Sequence, residues 1–199
     1  KPQQSDPLLK LLAEVQRRSA LVAKLDLSAS VLEDYLYYGH LGWLGQADKH
    51  VLTLKTLYGL TVLTKAFESS EQPQSKLLDY LRQVNALPPG LAGNALDLAQ
   101  RAAAVRLAAF FDWSVQEVRE CTSRIDPSQK LLKNLTQLDL LMRIRTLARQ
   151  TGMDALTIFL LGDLPDGIDT ARYSAAAERA LLSLSAKTAA VVSFADETP

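Results

Sequence analysis

The stretch Leu107–Cys121, LAAFFDWSVQEVREC, decides the fold. Trp113 stands immediately ahead of Ser114, and Val118 follows four residues after that serine. An apolar residue just outside a helix that meets another at its fourth position forms a hydrophobic staple, while the serine oxygen accepts an otherwise unpaired first-turn N–H. Glu117 completes a capping-box signature with Ser114. The stretch therefore reads as a helix, a sharp corner and a second helix. Leu27-Ser28 with Leu32, Met153-Asp154 with Ile158 and Ile168-Asp169 with Tyr173 repeat the phrase. Four such corners predict helices stacked through defined junctions.

Outward from that stretch, apolar residues keep a helical period and nowhere a strand-like alternation. Upstream, Asn94 is the expected cap of the helix through Leu96, Leu98, Ala102, Val105 and Phe110. Before it, a short helix carries Leu77, Leu78, Leu81 and Val84 and stops at Pro88-Pro89-Gly90. Asp48 is the expected cap of a long helix with Leu52, Leu57, Leu60, Leu63 and Phe67. The Leu27-Ser28 corner starts a helix through Tyr35 and Tyr38 that Gly39, Gly42 and Gly45 weaken around Trp43. The first helix begins at Pro7, with Asp6 as its cap, and carries Leu8, Leu9, Leu12, Val15, Leu21, Val22 and Leu25. Downstream, one long helix is expected from about Ser128 to Gln150, a short one after Met153-Asp154, and a last one from Asp169 into the alanine-rich run. The fold class is all-α: an irregular helical repeat or bundle of about nine to ten helices, long alternating with short.

A weak repeat accompanies that alternation. Leu54-Lys55-x-Leu57-x-x-Leu60-x-x-Leu63 matches Leu132-Lys133-x-Leu135-x-x-Leu138-x-x-Leu141, and helical pairs repeated at this scale commonly share one continuous core. Residues 1–6 read as a disordered or extraneous tail and residues 7–193 as one all-α domain, a section of a longer polypeptide.

The chain of 199 residues is 48% hydrophobic and 22% charged, the composition of a folded protein, and 22 basic residues balance 22 acidic ones. That balance favours neither nucleic acid nor an anionic membrane. Arg106 and Lys187 interrupt the most apolar runs, leaving no transmembrane span, and no signal peptide is visible. Cys121 is the single cysteine, so the chain has no internal disulfide.

Candidate chemistry is sparse. Cys121 with His40 or His50 lacks the setting of a nucleophile, and the two histidines do not have metal-ligand spacing. Asp163, Asp166 and Asp169 around Gly167 lack the alternating carboxylates and terminal glutamate of a calcium loop; a turn and a cap explain them. Gly39, Gly42 and Gly45 follow no strand and make no dinucleotide fingerprint. Arg143, Arg145 and Arg149 read as short basic faces paired with nearby acids. No catalytic, cofactor-binding or metal-binding residue is assigned. Tyr35, Tyr37, Tyr38 and Trp43 form the densest aromatic cluster and are the candidate interaction surface, against the alternative that Tyr35, Tyr38 and Trp43 pack inward at helical spacing.

Three stretches carry a resemblance: LLKNLTQLDLLMRIRTLARQTGMDALTIFLLGDLP (131–165), LAAFFDWSVQEVREC (107–121) and VLTLKTLYGLTVLTKAF (51–67). Together they are similar to the helical regions of bacterial Tc toxin A components, the insecticidal toxin-complex subunits related to virulence-plasmid A proteins. The resemblance spans most of residues 50 to 190. It implies a secreted or surface-released parent that binds host cells, forms a pore and translocates an enzymatic partner. This section would belong to the non-enzymatic helical shell, packing against other regions or subunits of the complex, with a host receptor as a further partner. No catalytic residue carries over, because the A component is not the enzyme of that assembly, and no channel-forming helix is recognisable.

Two other readings remain from the residues. A free-standing helical adaptor would present a groove lined by Tyr35, Tyr38 and Trp43 to one protein partner. A small all-α enzyme would show a closed pocket with convergent ionisable groups. The shell reading predicts bare apolar faces at the terminal helices.

Overall fold

The computed structural model describes residues 7–167 and 169–196, with side chains to residue 185. It is all-helical, with no strand among the described residues. The elements are α1 (Pro7–Lys24), α2 (Ala29–Asp34), a π turn (Tyr35–Gly39), α3 (His40–Gly42), α4 (Leu54–Glu68), α5 (Gln74–Asn85), α6 (Gly93–Phe111), α7 (Val115–Ile125), α8 (Leu135–Thr151), α9 (Ala155–Gly162) and α10 (Thr170–Asp196). α8 lies at the centre, packed on α4, α7 and α9; α6 joins α5 to α7, and α10 packs on α9.

Three of the four corner caps are made by the expected side chains. Ser28 accepts from the Val31 N–H, Asp154 from Thr157 and Asp169 from Arg172. Leu27 is buried, and Trp113 and Leu32 pack half-buried on the core. Ile168, the apolar half of the fourth corner, lies outside the described residues, as does Asp6. The corner at Trp113 is real but capped differently. Ser114 makes no side-chain cap, and Glu117 turns away from it to accept the Ala155 N–H of α9 at 2.6 Å. A partner from another element outcompetes the local box.

Three helix starts also differ from expectation. Thr53 and Thr56 form the capping box of α4, while Asp48 holds a turn by accepting the His50 N–H. α6 begins at Gly93, whose φ of +59° turns the chain, so Asn94 is already inside the helix. The largest departure is residues 128–134, which are not helical. Asp126 gathers the Ser128 hydroxyl and the Gln129 N–H, and Lys130 sits at φ +54°. The Tyr80 hydroxyl then donates to the Leu132 carbonyl at 3.0 Å and accepts its N–H at 3.2 Å, while the Asn85 amide donates to Lys133 at 2.9 Å. With the backbone satisfied by α5, the helix starts at Asn134, which forms a capping box with Gln137.

That start places the internal repeat in a new light. Leu54 opens α4, whereas its counterpart Leu132 lies in the loop, so the two segments are out of cap register. Leu60 and Leu63 nevertheless bury as Leu138 and Leu141 do, and α4 packs on α8. The matching leucines thus belong to two helices sharing one core.

The α2–α3 region turns on Gly39. A Cβ there would lie 2.6 Å from Cε3 of the Trp43 ring, so the absence of a side chain lets the indole seat against the helix. The π turn widens the helix by one residue here, a device common where a side chain needs re-aiming. Gly45, at φ +62°, ends the run, with its N–H bonded to Leu41.

Candidate functional site

The π turn divides the four aromatics. Trp43 is 1% exposed, Tyr35 is buried and Tyr38 half-buried, while Tyr37 stands 88% exposed. The Tyr38 and Trp43 rings meet edge-to-face at 5.4 Å. Burial, with Asp34 next in weight, pushes the Tyr38 phenol up to about 12. Tyr37 alone of the four faces water, so no groove is lined by Tyr35, Tyr38 and Trp43 together. The indole N–H of Trp43 has no hydrogen-bond partner among the described residues.

The other sequence candidates fall to structural roles. His40 Nδ1 lies 3.2 Å from the Tyr35 carbonyl, and the His50 carbonyl accepts from the Arg18 guanidinium. Cys121 is fully buried in α7, and burial, reinforced by Glu117 and Glu120, pushes its thiol far up. Such a thiol is not a nucleophile. Iodoacetamide is expected to leave it unlabelled in the native protein and to label it fully in denaturant; mass spectrometry after native labelling checks this, and rapid native alkylation would contradict it. Asp163 pairs with Arg124, and Asp169 caps α10. Among the three arginines read as paired faces, Arg143 bridges to Asp139 at 2.7 Å. Arg145 differs. It is buried, donates to the Phe111 carbonyl at the C-terminus of α6 and stacks 5.5 Å over the Phe111 ring. Burial, with Arg149 nearby, lowers its pKa.

Ionisable groups also converge where α7, α9 and α10 meet. Asp154 caps Thr157 with one oxygen and takes Arg179 at 2.7 Å with the other, and its N–H donates to the Ser183 hydroxyl. Glu117 holds the Ala155 N–H. A recess of about 370 Å³ beside them is lined by Trp113, Glu117, Arg149, Asp154 and Ser183. Both carboxylates are already committed to helix N–H groups.

Their environments push them in opposite directions. Burial raises Glu117, helped by Asp154 and Glu120 and opposed by the Ala155 hydrogen bond. Burial also lifts Asp154, but the Thr157 and Arg179 hydrogen bonds outweigh it and lower the net value. A raised carboxyl stabilises the fold fully below its usual 4.5 and loses that contribution as pH climbs through its folded value. A lowered one keeps its contribution above 3.8 and loses it at more acid pH. Glu117→Gln, which keeps an acceptor for Ala155 without a charge to desolvate, is expected to raise the melting midpoint at pH 7. It should also flatten the wild-type decline above pH 4.5 while leaving the loss below 3.8 in place. Thermal melts across that range test this, and superimposable profiles would refute it.

Two surface features remain, of which only the bare face at a terminal helix was an expectation from the sequence. An open groove of about 870 Å³ runs between α7 and α9, with Val115, Leu156, Phe159 and Leu160 along it and the Arg124–Asp163 pair at its edge. Finding it requires knowing that α7 and α9 are neighbours. The second feature is α1. Leu21, Val22 and Leu25 pack on the core, yet Leu8, Leu9, Leu11, Leu12 and Val15 are between 53% and 61% exposed. One seam is half covered. On α10, Leu181 and Leu182 are also exposed.

Among the described residues no cluster of three or more His, Cys, Asp or Glu could hold a metal, and no helix is long and apolar enough to cross a membrane. No protein-family model, curated protein or solved structure matches the chain.

Proposed function

We propose that this chain is a non-enzymatic scaffold section of a helical shell, of the kind that the resemblance to toxin-complex A components implies. Its partners are then other regions or subunits of a secreted or surface-displayed pore-forming complex, and host-surface contact is a secondary role. The observation that carries the reading is the half-covered seam of α1. Five core-type side chains between Leu8 and Val15 stand largely exposed on a helix whose C-terminal part packs on the core. Monomeric soluble proteins rarely leave a contiguous apolar face uncovered unless something docks there. Glu117, Asp154, Asp163 and Asp169 are engaged in caps and ion pairs, which fits a structural part.

The test is a paired variant, Leu8→Glu with Leu12→Glu. Because both side chains are already bare, the melting midpoint is expected to stay within about 2 °C of wild type, while apolar-dye binding and concentration-dependent association fall. A large drop in midpoint would mean that the face is internal and would sink the reading. For the toxin-complex assignment, the encoding reading frame is decisive: a long frame with a distal channel-forming region supports it, and a frame confined to this helical unit ends it.

The groove between α7 and α9 favours a second reading, an adaptor that seats a partner helix there. Leu160→Glu, at 40% exposure, separates the two. It should abolish partner capture in an adaptor and leave the association of a shell section unchanged.

A further inference from the structure

Beside the α7–α9 groove, a smaller recess of about 190 Å³ lies between α6, α7 and the loop that follows α7. α6 contributes Asp97, Gln100 and Arg101, at helical spacing on one face; α7 contributes Arg119, Thr122 and Ser123, spaced the same way; and Lys130 closes the rim. Thr122 is buried and Ser123 half-buried, so the floor is set into the protein. Arg101, Arg119 and Lys130 have no ion-pair partner among the described residues. Three uncompensated cations against one carboxylate leave the recess with a formal charge of two positive units. Like charges gathered without a counter-charge repel each other, and an anion relieves that.

Lys130 is held in place by the backbone of its loop. Its φ of +54° is one that a side chain with a Cβ rarely adopts, and glycine would meet no such strain. Strained backbone tends to persist where the position of a side chain matters. Here the loop is held from both sides: the Lys130 N–H donates to the Asp126 carbonyl at 2.8 Å, and the Gln100 amide donates to the Gln129 carbonyl at 2.7 Å. The ammonium is therefore carried on a fixed loop rather than a mobile one.

The geometry points to an anion-binding site, formed by Arg101, Arg119 and Lys130 with the Ser123 hydroxyl, that takes a doubly charged tetrahedral oxyanion: a phosphate or sulfate group, free or as an ester. The volume suits one such group, two guanidinium groups supply forked donors, and the net charge matches a dianion. The site is independent of the scaffold reading, since it shares no residue with the α1 seam. It also opens toward the groove, because Arg119 and Ser123 line both.

The experiment titrates inorganic phosphate into the whole chain at ionic strength held constant with chloride, followed by calorimetry and by amide NMR. One saturable site is expected, with shifts in α6, α7 and residues 126–134. Arg119→Gln should weaken it about tenfold, the usual worth of one charge-assisted contact. Lys130→Gly should weaken it similarly while holding or raising the melting midpoint, because it removes the cation and the strain together. Arg172→Gln, on α10, should change nothing. Sulfate and phenyl phosphate distinguish the source: equal or tighter binding of the ester assigns the site to an esterified group, and binding of inorganic anions alone assigns it to a free ion. Absence of saturable binding, or phosphate affinity unchanged in both Arg119→Gln and Lys130→Gly, would overturn the site.

Discussion

Trp43→Ala is expected to cost about 3–5 kcal/mol of stability, the range for removing a fully buried large aromatic. The ring is 1% exposed, meets Tyr38 edge-on and occupies the space that Gly39 leaves. Its backbone carbonyl also accepts the N–H of Leu135, the first residue of α8, at 3.0 Å. Trp43 thus ties the π turn to the central helix through both ring and backbone. A cavity beneath it loosens the segment that presents this carbonyl, leaving an orphan N–H at the start of α8. For a fold stable by about 5–15 kcal/mol, that is a large share. Urea denaturation checks it, with Tyr37→Ala as the control, since Tyr37 stands in solvent and should shift the midpoint little. Equal shifts for the two variants would show that the π turn does not sort the aromatics as described.

Tyr80→Phe should be the most costly single-atom deletion, at about 2–4 kcal/mol. One hydroxyl serves both the N–H and the C=O of Leu132, and Leu132 is itself fully buried. Phenylalanine fills the same volume, so the loss is not a packing effect. It leaves two backbone groups without partners where water does not reach. The expected signature is a lower denaturation midpoint with an unchanged slope, together with faster hydrogen exchange confined to residues 128–134. A variant as stable as wild type would mean that this loop finds other partners. Asn85→Ala, which releases only the Lys133 carbonyl, should be the milder change.

These two residues also mark what the sequence could and could not say. The leucine spacing of Leu135, Leu138 and Leu141 reads directly as a helix, because burial on one face leaves a period. The start of that helix did not read, because Tyr80 decides it from 52 residues away. Likewise the Ser114–Glu117 signature was present, yet Glu117 bonds to Ala155, which only the folded chain brings near. The inward turn of Tyr35, Tyr38 and Trp43 agrees with packing at helical spacing, while the π turn that re-aims this segment leaves no such signal. The α7–α9 groove is assembled from helices whose adjacency no short window of residues encodes. The basic recess lies between α6 and α7, which the Leu107–Cys121 corner does join, but it also needs the loop after α7 to fold back onto α6.

Because α1 is anchored by Leu21, Val22 and Leu25 and is already coiled along its bare half, a molecule that covers Leu8 to Val15 meets a ready-made rod. No coil-to-helix ordering has to accompany the encounter, so that cost is not subtracted from the gain of shielding those leucines, and only the loss of overall freedom and of side-chain freedom opposes it. Capture should accordingly be fast, set by collision and orientation rather than by a slow folding step.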